Sequence, residues 1–542
     1  MLRGLMMDSP LLISSLIVHA ERCHGDTEIV SRTVEGPIHR YTYADAHQRA
    51  RKLAQALGRL GVMQGERVGT LAWNGYRHLE LYYAASGMGA VIHTVNPRLF
   101  PEQLAYIVNH AEDAYVFFDL TFAPLVEKLA PHCPGVRGWV AMTDRAHMPQ
   151  IAAPKLLCYE ELIAAENGDY EWPRLDEWTA SGLCYTSGTT GNPKGVLYAH
   201  RSTVLHAYAA SLPDVFAAAA RETILPVVPM FHVNAWGIPY VATLNGCKLV
   251  FPGGALDGKS LHELFEAEQV TVTAGVPTVW LGLLNYMKAN GLKFSSLRRA
   301  VVGGSAAPPA MIRQFEEEFG VDCQHAWGMT EMSPLGTLLT LKRKHAGLTE
   351  TERFEVRCKQ GRTIYGVEMK IVDGAGTELP RDGKAFGDLL VRGAWVTSGY
   401  FKGEGGSVLR DGWFPTGDVA TIDADDFMHI TDRSKDVIKS GGEWISSIEL
   451  ENIAVAHPAI VEAAVIGVHH DKWDERPIVV AVKKPGAAVT REEMLTFYAG
   501  KVAKWMIPDD VVFVTELPHT ATGKLSKLTL REQMKDYKLP AE

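Results

Sequence analysis

The sequence has few cysteines, and none of them is spaced like a disulfide or zinc framework. Seven cysteines stand at positions 23, 133, 158, 184, 247, 323 and 358 of 542 residues, without a Cys-x-x-Cys pair. Disulfide scaffolds and zinc ribbons have tighter spacing. We therefore expect reduced thiols that are mostly buried.

The sequence also lacks an excess of basic residues. It has 54 Lys and Arg against 63 Asp and Glu, and its formal net charge is −9. A dedicated nucleic-acid-binding protein normally has a basic excess or a basic stripe, so this class is disfavoured. A local site for a small anion remains compatible with mild overall acidity.

A long hydrophobic run is missing as well. Residues 11–18 are mostly apolar, but Pro10 precedes them and Glu21 and Arg22 follow, far short of the ~20 apolar residues that span a bilayer. We expect a short amphipathic helix with Ser9 as N-cap and Pro10 at its first position. The protein is predicted to be cytoplasmic and without a membrane span.

What is present is the patterning of a large α/β protein. At about 150 residues per domain, this length predicts three or four domain-sized units. Helix-like and strand-like stretches alternate from residue 43 to 118 and again from 223 to 302, which predicts β/α units with parallel sheets. The predicted helices are 43–60, 78–89 and 101–111, and the predicted strands are 67–72, 90–94, 114–118, 248–251 and 271–273.

The pattern changes after about residue 360. Short strands at 367–372, 387–391 and 428–430, separated by Gly/Asp turns, predict a small β-rich subdomain. A polar run follows at 431–436, after which α/β patterning resumes. We therefore predict a large N-terminal domain, 1–431, and a small mobile α+β lid domain, 432–542.

The strongest local signal is the loop 185–195, Tyr-Thr-Ser-Gly-Thr-Thr-Gly-Asn-Pro-Lys-Gly. Its free backbone N–H groups and hydroxyls suit phosphate oxygens, and Lys194 supplies a cation. It is not a Walker A motif, because Pro193 precedes the lysine and Gly195 follows it. A flexible surface loop is the alternative from these residues alone.

This loop resembles the phosphate loop of the adenylate-forming superfamily, which contains acyl-CoA synthetases, luciferases and adenylation domains of peptide synthetases. Further motifs follow in the family's order over nearly the whole chain. They are 303–308 (adenine-binding turn), 327–331 (with Trp327 in place of the usual Tyr), 412–418 (ribose), 432–433 (hinge), 441–446 (CoA-facing loop) and 518–524 (C-terminal lysine motif, with His519 where Arg or Lys is commoner).

The resemblance implies a set of site residues. For ATP they are Thr186, Ser187, Gly188, Thr189, Thr190, Gly191, Lys194, Gly303, Gly304, Ser305, Trp327, Gly328, Met329, Thr330, Asp418 and Arg433. The catalytic set is Lys524, His232 and Glu331; the Mg²⁺ ligands are Thr186 and Glu331; the hinge is Asp432; and the CoA-facing residues are Lys439, Gly441, Gly442, Glu443 and Trp444.

Chemistry supports several of these roles. Adenylation has to neutralise a triphosphate and a developing pentavalent centre, and carboxylate and hydroxyl oxygens suit Mg²⁺. Asp418 can accept both ribose hydroxyls. In the family the lysine at position 524 bridges the substrate carboxylate and the α-phosphate, two anions that otherwise repel each other.

The acyl pocket is predicted from residues 228–237, which resemble the family's carboxylate-pocket motif. His232 would guide the carboxylate or gate the nucleotide, and Trp236, Gly303 and Trp327 would wall the pocket. Two indoles, each with ~200 Å² of contact surface, would shorten it. The alternative for His232 is a structural histidine, and for both tryptophans it is core packing.

We interpret the chain as an ATP-dependent acyl-CoA synthetase. A carboxylate and ATP would give acyl-AMP and pyrophosphate, and CoA would then displace AMP after rotation of the lid. Within the superfamily, 93–102, 432–451 and 503–506 resemble bacterial 3-methylmercaptopropionyl-CoA ligases first and medium-chain fatty acyl-CoA ligases next. 3-Methylmercaptopropionate or a short- or medium-chain fatty acid is therefore the expected substrate.

Other functions remain open from the sequence. A stand-alone adenylation enzyme that loads a carrier-protein thiol would share every nucleotide motif, and an aryl-CoA ligase would differ in the acid alone. A luciferase-like oxidase and a non-catalytic nucleotide sensor are further alternatives, although Lys194 and Lys524 argue against a sensor. The resemblance allows a homodimer.

Overall fold

The structure is a computed structural model that describes residues 2, 4–186, 192–441, 443–519 and 525–540. The described chain forms two compact units. The first contains the residues up to 186, 192–368 and 392–409, and the second contains 369–391 and the residues from 410 onward. The domain boundary at 431/432 stays a prediction.

The strands of the first unit are β1 (Glu28–Arg32), β2 (Ile38–Thr42), β3 (Arg67–Leu71), β4 (Val91–Thr94), β5 (Asp113–Phe118), β6 (Trp139–Ala141), β7 (Leu156–Cys158), β8 (Ala180–Tyr185), β9 (Gly195–Ala199), β10 (Thr223–Pro226), β11 (Lys248–Phe251), β12 (Val272–Gly275), β13 (Arg299–Val302), β14 (Asp322–Gly328), β15 (Leu335–Leu338) and β16 (Arg362–Thr363). Its helices are α1 (Ile13–His24), α2 (Tyr43–Arg59), α3 (Tyr76–Gly87), α4 (Pro101–Ala111), α5 (Ala123–Leu129), α6 (Tyr159–Ala164), α7 (His200–Ala210), the single turn α8 (Val233–Trp236), α9 (Ile238–Asn245), α10 (Gly258–Ala267), α11 (Pro277–Asn290), α12 (Pro309–Arg313) and α13 (Glu350–Arg357).

Two strands, β17 (Val367–Val372) and β18 (Phe386–Gly393), cross from the first unit into the second. The second unit continues with β19 (Phe414–Ile422), β20 (Met428–Arg433), β21 (Ile438–Ser440), β22 (Glu443–Ile445), α14 (Ser447–Val455), β23 (Ile460–His470), β24 (Asp474–Lys483), α15 (Arg491–Tyr498), β25 (Asp510–Val514) and α16 (Lys527–Gln533). Short 3₁₀ turns lie at Leu120–Phe122, Ala130–His132, Arg145–His147, Thr330–Met332, Arg343–Gly347, Phe401–Gly403 and Lys504–Met506, and a π turn at Gln314–Glu318.

The first unit contains two sheets with parallel centres. One has the strand order β16-β15-β14-β13-β12-β10-β11-β1-β2 and the other β7-β6-β5-β3-β4-β8-β9. Pairs such as β12·β13, β13·β14, β3·β4 and β4·β8 are parallel, and β2, β9 and β15 join antiparallel near the edges. In parallel sheets the carboxyl ends of the strands share one edge, where ligands bind. The predicted α/β architecture is confirmed.

A closely packed apolar core fixes the first of these sheets against its helices. Trp280 and Leu283 of α11 and Leu264 of α10 are buried against strand residues such as Val302 of β13. Burying such side chains contributes about 1.5–3 kcal/mol each. The sheet therefore holds the strand ends in fixed positions.

The second unit is built from antiparallel sheets and a small α/β layer. Strands β17-β18-β19-β20 form one sheet, and β22-β21-β24-β23 form another, with β25 parallel to β24. Leu450 of α14 and Met494 of α15 are buried on the β23–β24 side, and Leu530 of α16 belongs to a separate buried cluster. The short strands predicted after about residue 360 belong to this unit.

The predicted start of the first helix is wrong. Helix α1 begins at Ile13, and its N-cap residue is Leu12, not Ser9. The Ile13 N–H donates to Nδ1 of His200, 3.1 Å away, and the Leu11 N–H donates to Glu177, 3.0 Å away. Tertiary acceptors satisfy the amides that a local cap would serve, so the local Ser-Pro signal did not decide the boundary.

Two further expectations concern the cysteines and the membrane. All seven cysteines are free; five are buried, Cys358 is partly buried and Cys23 is exposed. Within the described part of the chain, no helix combines the length and the apolar character that crossing a bilayer requires.

Candidate active site

The phosphate loop connects two strands of an antiparallel hairpin in the first unit. Tyr185 at the end of β8 lies opposite Gly195 at the start of β9. The Thr186 N–H donates to the Lys194 carbonyl at 2.9 Å, and the Lys194 N–H donates to Oγ1 of Thr186 at 3.1 Å. These bonds close the base of the loop. Ser187, Gly188, Thr189, Thr190 and Gly191 lie outside the described residues.

Lys194 and Glu331 have an aromatic neighbour in common, Tyr400. The Lys194 Nζ is 4.9 Å from the centre of the Tyr400 ring, a cation–π distance, and the Tyr400 hydroxyl donates to Oε1 of Glu331 at 2.8 Å. Burial, and secondly the Glu331 charge, hold the pKa of Tyr400 well above its usual range. The phenol therefore stays protonated and remains a donor.

Glu331 is fixed where the chain leaves β14. It is buried, at 7% exposure, and its carbonyl accepts from the Thr397 N–H at 2.8 Å. The neighbouring Thr330 carbonyl accepts from the Tyr198 hydroxyl of β9 at 2.7 Å. The Thr-Glu motif and the phosphate hairpin are thus joined directly. The Glu331 carboxylate and the Thr186 hydroxyl are oxygen donors of the kind that a hard cation such as Mg²⁺ requires, so these residues fit the metal.

The predicted adenine turn follows β13 at the carboxyl edge of the sheet. A side chain at Gly303 would meet Cη2 of Trp236 at 2.9 Å and the Ala326 carbonyl at 3.0 Å. Gly304 has φ +81°, a conformation that favours glycine, and Ser305 is exposed. The turn is therefore tightly packed at Gly303 and open to solvent at Ser305.

Each of the two predicted pocket tryptophans packs on a glycine. Trp236 lies against Gly303, and Trp327 lies against Gly336, where a Cβ atom would stand 2.6 Å from its ring. Both indoles are 7% exposed. Gly303 also neighbours Ala326, the residue before Trp327. The structure thus brings Trp236, Gly303 and the end of β14 together. Gly328 and Met329 follow Trp327 in the motif 327–331. The Met329 N–H donates to the Pro334 carbonyl at 3.0 Å.

His232 opens an unusual segment. It is partly buried, and its N–H donates to the Pro229 carbonyl at 3.0 Å. The four residues that follow, Val233–Trp236, all have positive φ angles, from +46° to +56°. They form one left-handed helical turn, which costs L-residues about 1–2 kcal/mol each. Strain of this kind is characteristic of functional sites.

In the second unit the two predicted ribose-binding residues contact each other. Asp418 and Arg433 are direct partners in the β19–β20 ladder, and Nε of Arg433 is 2.8 Å from Oδ1 of Asp418. Asp418 is buried, whereas about half of the Arg433 side chain is exposed. A ribose hydroxyl donating to Asp418 would meet a carboxylate already oriented by Arg433.

The predicted hinge residue, Asp432, lies in β20 and is buried against the first residue of α14. Its Oδ2 accepts from the Ser447 N–H at 2.5 Å and from the Ser447 hydroxyl at 2.6 Å. Lys527 of α16 donates to the same hydroxyl at 2.6 Å and pairs with Glu451 at 2.7 Å. Burial raises the pKa of Asp432 and of Glu451, against the opposing effect of Lys527. Lys527 was not predictable as a site residue, because a lysine on a short helix carries no sign of burial and its partners are distant in sequence.

The predicted CoA-facing residues surround the β21–β22 turn. Lys439 lies opposite Trp444 in the ladder, and Gly441 has φ +61° and donates to the Trp473 carbonyl at 2.8 Å. A side chain at Gly441 would meet the Trp473 ring at 2.7 Å. Glu443 belongs to β22, and Gly442 lies outside the described residues.

Lys524 also lies outside the described residues, but both ends of its loop are described. The Ser526 N–H donates to the Pro518 carbonyl at 2.7 Å, and His519 pairs with Glu462 at 2.7 Å. His519 and Leu525 form an isolated bridge. These contacts fix the two ends of the loop close together.

Comparisons with known proteins agree with this arrangement. The AMP-binding enzyme family model matches residues 17–401, and the AMP-binding enzyme C-terminal domain model matches residues 449–524. The chain belongs to the AMP-binding enzyme family, which confirms the predicted adenylate-forming class.

The relatives include CoA ligases over their full length. The chain is 55% identical to a 3-methylmercaptopropionyl-CoA ligase of Ruegeria lacuscaerulensis, over 98% of this chain and 99% of that one. It is 54% identical to a medium-chain-fatty-acid–CoA ligase of Ectopseudomonas oleovorans, over 99% and 98%. The predicted class, an AMP-forming acid–thiol ligase, is confirmed.

A solved structure of this fold holds an acyl-adenylate. The anthranilate CoA ligase AuaEII in complex with anthranoyl-AMP superposes with a TM-score of 0.86 at 25% identity, covering 98% of each chain. ATP-bound MatB from Rhodopseudomonas palustris superposes with a TM-score of 0.80 at 25% identity, covering 97% of this chain and all of that one. The predicted fold class is confirmed.

Proposed function

We propose that this acyl-CoA ligase activates 3-methylmercaptopropionate or a short- or medium-chain fatty acid. A carboxylate oxygen attacks the α-phosphorus of ATP and pyrophosphate leaves, giving acyl-AMP. The CoA thiol then attacks the acyl carbonyl, loses its proton, and the C–O bond to AMP breaks. The two relatives described above have 3-methylmercaptopropionyl-CoA and a medium-chain fatty acid in their names, which supports this choice.

The choice of acid rests mainly on two buried indoles that pack against glycines. Trp236 on Gly303 and Trp327 on Gly336 are both nearly buried, so each indole has room only because the facing residue has no side chain. We assign them to the wall of the acyl pocket, with His232 guiding the carboxylate. Such a wall favours an acid that is short or slim.

The nucleotide is assigned to the phosphate hairpin and its neighbours. Lys194, held beside Tyr400, supplies positive charge for the β- and γ-phosphates, and Gly303, Gly304 and Ser305 present backbone to the adenine. Thr186 and Glu331 would hold Mg²⁺, which when bound neutralises phosphate charge. Glu331 is oriented for this by the Tyr400 hydroxyl.

The second unit is assigned to the lid functions. Asp418 and Arg433 bind the ribose, and Lys524 bridges the carboxylate and the α-phosphate in the first half-reaction. Rotation about Asp432 would exchange Lys524 for the loop with Lys439, Gly441, Gly442, Glu443 and Trp444, which faces CoA. A cytoplasmic location, a requirement for Mg²⁺ and a homodimer remain predictions.

A substrate screen tests the proposal. Purified protein with MgATP and CoA is offered 3-methylmercaptopropionate, straight-chain acids of 3 to 12 carbons, and benzoate-type acids, and AMP and acyl-CoA are measured. We expect the highest kcat/KM for the thioether acid or for one of the acids of 4 to 10 carbons. A maximum with an aryl acid, or acid-dependent pyrophosphate exchange without acyl-CoA, would contradict the proposal and favour an aryl-CoA ligase or a carrier-protein-loading enzyme.

A further inference from the structure

The left-handed turn at Val233–Trp236 needs support from outside itself. Apart from Asn234, its residues belong to types that rarely adopt positive φ, and Val233 is β-branched. Its local backbone bonds include the Ala235 N–H donating to the Pro229 carbonyl at 3.2 Å and the Gly237 N–H donating to the Asn234 carbonyl at 3.0 Å. Residues that hold such a turn determine where His232 and Trp236 lie.

Asn74, between β3 and α3, holds the chain just before the turn. Its Nδ2 donates to the carbonyls of Pro226 and Val228 at 2.8 and 2.9 Å, and its Oδ1 accepts from the Met230 N–H at 2.6 Å. Three alternate residues of the segment are thus held by one amide. Asn74 is 3% exposed, so water does not replace these bonds easily.

Asn234 holds the turn itself. Its Oδ1 lies 3.3 Å from the Tyr82 hydroxyl of α3 and 3.4 Å from Sγ of Cys184 in β8. The Tyr82 hydroxyl also donates to the Met230 carbonyl at 2.5 Å. Asn74 therefore bonds to Met230 directly, and Asn234 is linked to Met230 through the Tyr82 hydroxyl. Cys184 belongs to β8, the strand that precedes the phosphate loop. Asparagine tolerates positive φ better than other non-glycine residues.

We propose that Asn74 and Asn234 are positioning residues that set the acid specificity of this enzyme without touching the acid. They hold the segment Pro226–Gly237, which contains the left-handed turn Val233–Trp236, and the turn sets the depth at which Trp236 meets Gly303 and the direction of His232. This inference rests on the proposed function, in which Trp236 and His232 line the acyl pocket.

The contacts of the two asparagines distinguish a role in the acyl pocket from general support of the fold. The side chains of Asn74 and Asn234 bond to the acyl segment, to Tyr82 and to Cys184. Tyr400 contacts Lys194 and donates to Glu331, and Tyr198 of β9 donates to the Thr330 carbonyl; neither asparagine takes part in these contacts. Loss of either amide should therefore affect acid binding more than ATP binding.

The test compares Asn74→Ala, Asn234→Ala and Asn234→Gly with wild type, using acids of 4, 8 and 12 carbons. Asn234→Gly keeps a backbone that accepts positive φ but loses the amide. We expect all three variants to change the ratio of kcat/KM between the acids at least tenfold, with Asn234→Gly closer to wild type than Asn234→Ala. The KM for MgATP should stay within twofold.

Ser86→Ala is the matched control. Ser86 lies on α3 like Tyr82, is fully buried, and donates to the Ser181 carbonyl at 2.8 Å, so the variant loses a buried side-chain bond outside the acyl segment. We expect its acid ratios to be unchanged. Should Asn74→Ala fail to fold, Tyr82→Phe, which loses a single hydroxyl, takes its place with the same expected shift.

Equal losses for all acids, with unchanged ratios in folded variants, would overturn the inference and leave both asparagines as parts of the fold. Trp236→Ala in the same assay separates this failure from failure of the proposed function. If Trp236→Ala changes the acid ratios and the asparagine variants do not, the pocket assignment stands and the positioning role falls. If Trp236→Ala changes nothing, the pocket assignment itself fails.

Discussion

The two units hold their predicted site residues by different kinds of contact. In the first unit the contacts are mostly neutral and steric: indoles on Gly303 and Gly336, a phenol on Glu331, and amides on the segment before Trp236. In the second unit they are ionic. Asp418 pairs with Arg433, and Lys527 pairs with Glu451 beside Asp432.

This difference fits the roles proposed for the two units. A pocket that selects an acid by size needs fixed walls, and close packing supplies them because interiors are nearly as dense as crystals. A lid that alternates between two reactions needs contacts that orient a few side chains near a hinge, and buried charge networks do this with strong directional preference. Substitutions that change side-chain volume should therefore impair the first unit most. Substitutions that remove a charge should impair the second unit most.

The largest effect is expected from Lys527→Met, which removes the cation from the buried cluster around Asp432, the proposed hinge residue. Glu451 and Asp432 would remain buried without it, and breaking such a pair costs about 3–5 kcal/mol. Hydrogen exchange of the β23 and β24 amides measures the loss of local stability. Lys535→Met, an exposed lysine of the same terminal segment, is the control. Equal protection in both variants would show that the cluster stabilises nothing.

Lys524→Ala should reduce adenylation ~10²-fold or more, the effect of losing one transition-state electrostatic contact. Thioester formation from supplied acyl-AMP should remain near the wild-type rate, because that step needs no cation between two anions. Pyrophosphate exchange measures the first step, and acyl-CoA formation from acyl-AMP measures the second. Equal losses in both steps would remove the role assigned to this lysine.

Gly303→Ala tests the first unit by volume alone. The new methyl group would stand 2.9 Å from the Trp236 ring, and overpacking of this kind costs about 1–3 kcal/mol. If the pocket bears that whole cost when it binds the preferred acid, kcat/KM falls roughly 5- to 150-fold. Gly282→Ala is the control, since a Cβ atom there meets nothing within 4 Å. The idea of a tight wall fails if Gly303→Ala retains full activity.

The smallest effect is expected in the pH dependence of the second unit. The pKa of Glu451 is raised from 4.5 by burial, with Lys527 opposing the shift, and that of Asp432 is raised from 3.8. A raised carboxyl pKa contributes stability that is complete below the unfolded value and is lost as the pH rises through the folded value. Thermal melts of Glu451→Gln should therefore depend less on pH above 4.5 than those of wild type. Parallel curves would mean that Glu451 does not titrate with folding.

Local patterns predicted many elements because those elements are locally determined. Helix 101–111 matches α4, and strand 248–251 matches β11, residue for residue. Apolar periodicity and Pro101 at the first helical position suffice there. The start of α1 was missed because His200 and Glu177, more than 160 residues away, satisfy its first amides.

The candidate site was predictable where it lies in short motifs. Lys194 and Glu331 lie in such motifs, but Tyr400, which contacts both, does not. His232 and Trp236 were predictable from their motif, but the left-handed turn was not, since no propensity favours Val and Ala at positive φ. Asn74 was missed for the same reason as Lys527: its role consists of contacts with residues distant in sequence.

One isotope measurement tests the central claim, that this protein joins an acid to CoA through an acyl-adenylate. The preferred acid, labelled with ¹⁸O in both carboxylate oxygens, is converted with MgATP and CoA, and the AMP is analysed by mass spectrometry. The account predicts one ¹⁸O in the phosphate of AMP, because the carboxylate oxygen that attacks the α-phosphorus leaves with it. Unlabelled AMP, or ¹⁸O released in inorganic phosphate, would contradict the account.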